Sequence, residues 1–157
     1  MDHTFDDDYW DRIWASDRAV AMSSAEPNPH LQAEVHDLAP GTALDVGCGA
    51  GAEAIWLARR GWRVTAADIA RAALAAGRER AAAAGVADQV HWVQADLSTW
   101  QPDDQYDLVT THYAHPSIPQ LEFYDRLVDE GVTALGGHRA HVDQQRHRPA
   151  KPGFQRP

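Results

Sequence analysis

The residues best suited to chemistry are concentrated in Leu44-Asp45-Val46-Gly47-Cys48-Gly49-Ala50-Gly51. Glycines between a strand and a helix let the backbone turn sharply and approach a ligand with no side chain in the way. The helix that follows points free N–H groups at whatever sits there. A plain tight turn uses glycine too, so it is the placement between strand and helix that favours ligand binding. Two further acids extend the set. Asp68 falls at the end of the next strand, where a carboxylate can accept both hydroxyls of a ribose. Asp96 falls just past the third strand, where it can accept from an exocyclic amine such as that of adenine. Each has a plainer alternative as a helix or turn cap, a common role for Asp. Together, at the carboxyl ends of successive strands, the three acids favour one shared site, because ligands of open α/β sheets bind along that edge.

The elements that must position these groups follow from residue patterning. Ala43–Val46 is a short apolar run of the kind a buried parallel strand shows. A helix pattern, AEAIWLARR, follows the glycine loop and closes at Gly61. Trp62–Ala67 suits a second strand, Ala70–Ala84 a helix stopping at Gly85, Val90–Val93 a third strand and Tyr106–Thr110 a fourth. Gln120–Glu130 reads as a further helix, and the GVTALGG stretch at 131–137 as a fifth strand. Strands separated by helices imply a parallel sheet with right-handed crossovers. The expected fold is therefore α/β, a Rossmann-like parallel sheet of order 3-2-1-4 with a fifth strand in question, flanked by helices. Upstream, Tyr9, Trp10, Ile13 and Trp14 share one helical face, and His30–Leu38 forms a second short helix after Pro27 and Pro29.

Composition bounds the function. The chain has 157 residues, one domain's worth, with 14 Lys and Arg against 23 Asp and Glu and a formal charge of −9. An acidic surface repels phosphate backbones, which argues against a general nucleic-acid binder. A single cysteine, Cys48, cannot form an internal disulfide. No run approaches the roughly 20 apolar residues that span a bilayer, and MDHTFDDDYW lacks the features of a signal peptide, so the expectation is a cytoplasmic protein with no membrane partner. The charge is uneven. Residues 1–37 hold nine acids and two bases, whereas residues 136–157 hold five bases, one acid and three prolines without an apolar period. That tail is expected to be disordered. Three zones result: an N-terminal helical cap over 1–39, a Rossmann-like core over 40–135 and the tail over 136–157. His138, His141 and His147 in the tail match no closed zinc spacing, and no metal site is expected.

The segment ALDVGCGAGAEAIWLARRGWRVTAADIARAAL resembles the cofactor segment of class I S-adenosylmethionine-dependent methyltransferases. Within them it is most similar to small-molecule enzymes of the tellurite-resistance and thiopurine methyltransferase type. FDDDYWDRIW and PNPHL resemble the N-terminal helical region of that group, and the likeness runs over residues 5–130. The resemblance implies S-adenosylmethionine as cofactor. Gly47, Gly49 and Gly51, with Cys48 among them, would line its methionine part, and Asp45 would help hold its ammonium through backbone or water contacts. Asp68 would take the ribose diol, Ile69 would pack on the adenine, Asp96 would meet the adenine amine and the Leu97 backbone a ring nitrogen. Thr111 and His112 would sit beside the methyl group, and Trp10, Trp14 and Tyr113 are the candidate lid and substrate residues.

Methyl transfer from a sulfonium needs alignment and exclusion of water, and a base only when the acceptor must lose a proton. His112 is the candidate base, with a surface or structural histidine as the alternative. The fourth strand ends in Thr-Thr-His-Tyr-Ala-His-Pro rather than an Asp-Pro-Pro-Tyr type segment, which with the net charge favours a small acceptor over nucleic acid. Two rivals stand. Gly47-x-Gly49-x-x-Ala52 also satisfies a loose dinucleotide pattern, so a nicotinamide dehydrogenase competes. After Glu130 the expected closing strands of such a family give way to Arg, His, Gln and Pro. A truncated or frameshifted derivative, inactive or self-associating through an uncovered sheet edge, is the second rival.

Overall fold

The computed structural model describes residues 7–102, 106–112 and 140–143. Three short helices come first: α1 (Asp7–Trp14), α2 (Arg18–Ser23) and α3 (Pro29–Val35). Next come β1 (Thr42–Val46), α4 (Ala52–Arg59), β2 (Arg63–Asp68), α5 (Arg71–Ala83), a 3-10 turn over Ala87–Gln89 and β3 (Val90–Gln94). β4 (Leu108–His112) and β5 (Ala140–Asp143) complete the described sheet. Its order is β3-β2-β1-β4-β5, and every neighbouring pair is parallel. This is the Rossmann-like order expected from the alternation of strands and helices.

Local chemistry sets the element ends. Asn28 caps α3, its Oδ1 accepting from the His30 amide at 2.8 Å, with Pro29 in the first turn where no N–H is required. At the start of the sheet the Thr42 amide donates to Asp107 Oδ2 at 2.9 Å, and the Asp107 amide donates back to Thr42 Oγ1 at 3.2 Å. That reciprocal bracket aligns β1 with β4 before the first ladder bond. β1 itself is buried from Ala43 to Val46, as a central strand covered on both faces must be.

Two apolar layers sandwich the sheet. On one face Leu31 and Val35 of α3, Leu57 and Ala54 of α4 and Leu74 of α5 close over Ala43, Val64 and Ala66. On the other, Leu44, Val46 and Val109 pack with Tyr106, Leu97 and Trp100. Each fully buried leucine contributes about 1.5–3 kcal/mol by leaving water. A third cluster ties the N-terminal helices to α5: Trp14, Trp10, Ala19 and Met22 pack with Ala50, Ala70, Ala73 and Ala76.

Several boundaries moved. β4 starts at Leu108 rather than Tyr106, and α2 was not anticipated because RAVAMS shows no apolar face at helical spacing. A fifth strand of the described sheet is Ala140–Asp143, which lies inside the segment expected to be disordered. It pairs with β4 from Val109↔Ala140 to His112↔Asp143. Strand pairing draws on backbone N–H and C=O groups that every such residue carries, so a stretch without apolar periodicity can still complete a ladder. The helix expected at 120–130, the stretch at 131–137 and the tail beyond 143 lie outside the described residues.

Candidate functional site

Because the strands are parallel, Val46, Asp68, Gln94 and His112 all end at one edge of the sheet. The glycine loop rises from that edge between β1 and α4. Its first amides, of Gly47 and Cys48, both donate to Ala67 O on β2, at 2.8 and 3.1 Å, and the Gly51 amide donates to Cys48 O at 2.9 Å. The loop is thereby pinned to β2 by its own backbone.

Gly49 and Gly51 adopt left-handed backbone, φ 55° and 80°, conformations that glycine takes without strain. The space each leaves is filled from within the protein. A Cβ at Gly49 would meet Trp14 Cζ2 at 3.3 Å, so the indole lies directly over the loop. At Gly51 the six-membered ring of Trp92 occupies the Cβ position. The same ring reaches Gly77 in α5, where a Cβ would lie 2.5 Å from two of its carbons. Trp92 is thus wedged between loop and helix, and it holds α4 and α5 at their spacing.

The carboxylates have distinct environments. Asp68 receives two backbone amides, from Gly49 to Oδ2 at 2.8 Å and from Ala70 to Oδ1 at 2.9 Å. Burial raises its pKa above the ordinary carboxyl value, and the amides of Ala70, Gly49 and Ile69 pull the other way. Each carboxylate oxygen has a second lone pair, so a diol can still be accepted. Asp45 is 1% exposed, and its Oδ2 has no hydrogen-bond partner among the described residues. Burial, then Glu53 and Asp68, push its pKa well above the ordinary value, against the Ala54 amide that favours the anion. The Cys48 thiol is pushed up too, by burial first and then by Asp68 and Asp45, so it remains a buried thiol and not a nucleophile.

Other expected residues sort differently. Asp96 is exposed and accepts the Ser98 amide at 2.9 Å on Oδ1, the turn-cap geometry that was its alternative reading. Leu97 packs with Trp100 into the apolar layer below. Ile69 is half-buried beside Asp68, and its carbonyl accepts from Gln94 Nε2 at 3.3 Å. Thr111 is buried and donates to Val46 O at 2.8 Å, locking the ends of β1 and β4 together. Trp10 is half-buried and meets Tyr9 edge-on at 5.2 Å. His112 ends β4, and Tyr113 lies outside the described residues.

Three contributors escaped the sequence reading. Glu53, in the first turn of α4, accepts the Asn28 amide at 3.3 Å and joins the α3 cap to the loop. Trp92 and Gly77 form the wedge. A lone glycine inside the alanine-rich α5 was the available signal, since glycine in a helix interior costs about 1 kcal/mol unless packing requires it.

A buried unpartnered carboxylate oxygen, a loop of left-handed glycines and a second carboxylate with spare acceptor capacity fit a ligand with a cationic end and a diol. The methyltransferase-domain family profile matches residues 43–134, more than half of the chain. The protein therefore belongs to the methyltransferase-domain family, and its sheet has the class I order. It is 33% identical over 118 residues to a ubiquinone biosynthesis O-methyltransferase of Pseudomonas paraeruginosa, covering 75% of this chain and 43% of that protein. It is 35% identical over 104 residues to Methyltransferase GfsG of Streptomyces halstedii, covering 64% of this chain and 36% of that one. A crystal structure of an S-adenosyl-L-methionine-dependent methyltransferase from Methanococcus maripaludis superposes with a TM-score of 0.63 at 19% identity, over 90% of this chain and 65% of that one. Another, from Geobacter sulfurreducens in complex with S-adenosyl-L-homocysteine, gives 0.58 at 21% identity, over 75% of this chain and 52% of that one. The chain spans less than half the length of these two curated relatives.

Proposed function

We propose that this domain binds S-adenosylmethionine on the glycine loop and directs its methyl group to a small-molecule acceptor. The observation that carries the reading is the buried, unpartnered Oδ2 of Asp45 at the base of the loop. A carboxylate so placed suits a ligand that brings positive charge. S-adenosylmethionine supplies a methyl group on a sulfonium whose charge disappears on transfer. The chain's own residues bind, orient and exclude water. Asp68, held rigid by the Gly49 and Ala70 amides, accepts the ribose hydroxyls. Ile69 packs on the adenine, with Asp96 and the Leu97 backbone reading its edge. Trp14, already over Gly49, and Trp10 form the lid that keeps water from the reacting carbon. His112, at the end of β4, is the base for an acceptor that must lose a proton, and Thr111 and Tyr113 complete the acceptor side.

The formal charge of −9 supports a small acceptor over nucleic acid. Relatives diverge on this point. They include the ubiquinone biosynthesis enzyme and a thiocyanate methyltransferase of Arabidopsis thaliana, but also a ribosomal RNA methyltransferase of Alcanivorax borkumensis. Family membership weighs against the nicotinamide alternative. The deciding experiment is calorimetric titration of the chain with S-adenosylhomocysteine and with NAD. S-adenosylhomocysteine is expected to bind. Asp68→Asn is expected to weaken it about tenfold or more, the loss of one charge-assisted hydrogen bond. Preferential binding of NAD, or full affinity in Asp68→Asn, refutes the proposal.

A further inference from the structure

Among the described residues, the site contains more negative charge than those residues balance. Asp45 is enclosed by the end of β1, the first turn of α4 and the end of β2. The titratable groups that face it from these elements are Glu53 on α4, Asp68 on β2 and Cys48 in the loop. On its other side its register neighbour is Thr110 of β4, which is buried and uncharged. Among the described residues no cation acts on it and Oδ2 has no hydrogen-bond partner. A buried anion without a counter-charge, beside two other acids, is a poor state for a carboxylate. The neutral acid avoids it, at the cost of a proton taken from solvent.

We propose that Asp45 is held as the neutral carboxylic acid in the ligand-free protein and gives its proton to solvent when the ammonium of the cofactor's amino-acid end settles on the glycine loop. Cofactor binding and proton release are then one event. The inference rests on the S-adenosylmethionine reading given above. The exchange balances: a neutral acid and a free ammonium become a carboxylate and a bound ammonium in Coulombic reach of each other, and the released proton goes to buffer. Direct contact is not needed, because opposite charges attract strongly through a buried, weakly screened medium. Burial raises the Asp68 pKa as well, but two backbone amides oppose that shift and favour its anion, so Asp45 is assigned the proton. The Trp14 indole over Gly49 adds to the effect by keeping water from the loop.

The test is calorimetric titration of the full chain with S-adenosylhomocysteine, which carries the ammonium, in buffers of different ionisation enthalpy between about pH 5 and 7. The expected result is release of up to about one proton, with affinity rising by up to about tenfold per pH unit while the acid remains neutral. Adenosine, which has the ribose and base but no ammonium, is expected to bind without release. Asp45→Asn is expected to bind S-adenosylhomocysteine with an affinity that no longer depends on pH. Binding that is flat with pH and releases no proton overturns the coupling and leaves the cofactor assignment standing. A wild-type chain that binds no S-adenosylhomocysteine overturns both. Equal release with adenosine assigns the proton to Asp68 and overturns the proposal. Should Asp45→Asn fail to fold, infrared difference spectra of the wild type decide. Loss of a protonated-carboxyl carbonyl band on S-adenosylhomocysteine binding supports the coupling, and its absence refutes it.

Discussion

Gly77→Ala places a methyl group where α5 meets Trp92. In an unconstrained helix this substitution stabilises by about 1 kcal/mol, because glycine is the poorer helix former. Here the added carbon would lie 2.5 Å from two carbons of the indole and 3.3 Å from the Ala50 carbonyl oxygen. The same two ring carbons also fill the space beside Gly51, so a shift away from Gly77 is opposed there. Overpacking of this kind costs roughly 1–3 kcal/mol, so the net effect is a destabilisation of roughly 0–2 kcal/mol. The informative experiment is a double-mutant cycle followed by chemical denaturation. In a Trp92→Leu background the obstruction is gone, and Gly77→Ala should now stabilise by up to about 1 kcal/mol. The coupling between the two positions is therefore about 1–3 kcal/mol, with a change of sign between backgrounds. Equal effects in both backgrounds, or a gain of about 1 kcal/mol in the wild type, would show that Trp92 does not wedge the loop against α5.

Asp107→Ala removes the acceptor of the Thr42 amide and one side of the bracket between β1 and β4, and should lower unfolding free energy by about 1–3 kcal/mol. A denaturation midpoint indistinguishable from wild type would exclude the bracket as a stabilising contact. Asp45 gives a pH prediction apart from any ligand. Its raised pKa means that the folded protein binds this proton more tightly than the unfolded chain does. That stability is full below the unfolded carboxyl value, about 3.9, and is lost as pH rises through the folded value. Asp45→Asn has no such proton, so the variant should gain on the wild type steadily from about pH 4 upward. Asp68 shifts in the same direction and repels Asp45, so the difference between the chains carries the titration of the pair. A stability difference that does not vary with pH would mean that Asp45 ionises in the folded protein as it does in the unfolded chain.

Much of the fold was legible because parallel α/β sheets advertise themselves. Buried central strands read as short apolar runs, and glycines at 61 and 85 stop the helices between them, both with positive φ. Asp45, Asp68 and the glycines were legible for the same reason: strand ends are local features, and parallel topology brings them to one edge. Asp96 lies past β3 as expected, and its Oδ1 caps the Ser98 amide, a turn role the sequence offered beside the ligand role. The strand at Ala140–Asp143 was not anticipated, because its pairing rests on backbone groups that no residue pattern marks.

Residue order alone, then, determined the alternation of strands and helices, the parallel sheet and the convergence of acids on a glycine loop, since these depend on spacing and local preference. Tertiary structure alone decided which groups press on that loop. Trp14 over Gly49, Trp92 between Gly51 and Gly77, and Glu53 near Asp45 join residues far apart in the chain or on different elements. Their contacts, and the burial that leaves Asp45 without a counter-charge among the described residues, come from close packing in three dimensions, which one-dimensional periodicity does not encode.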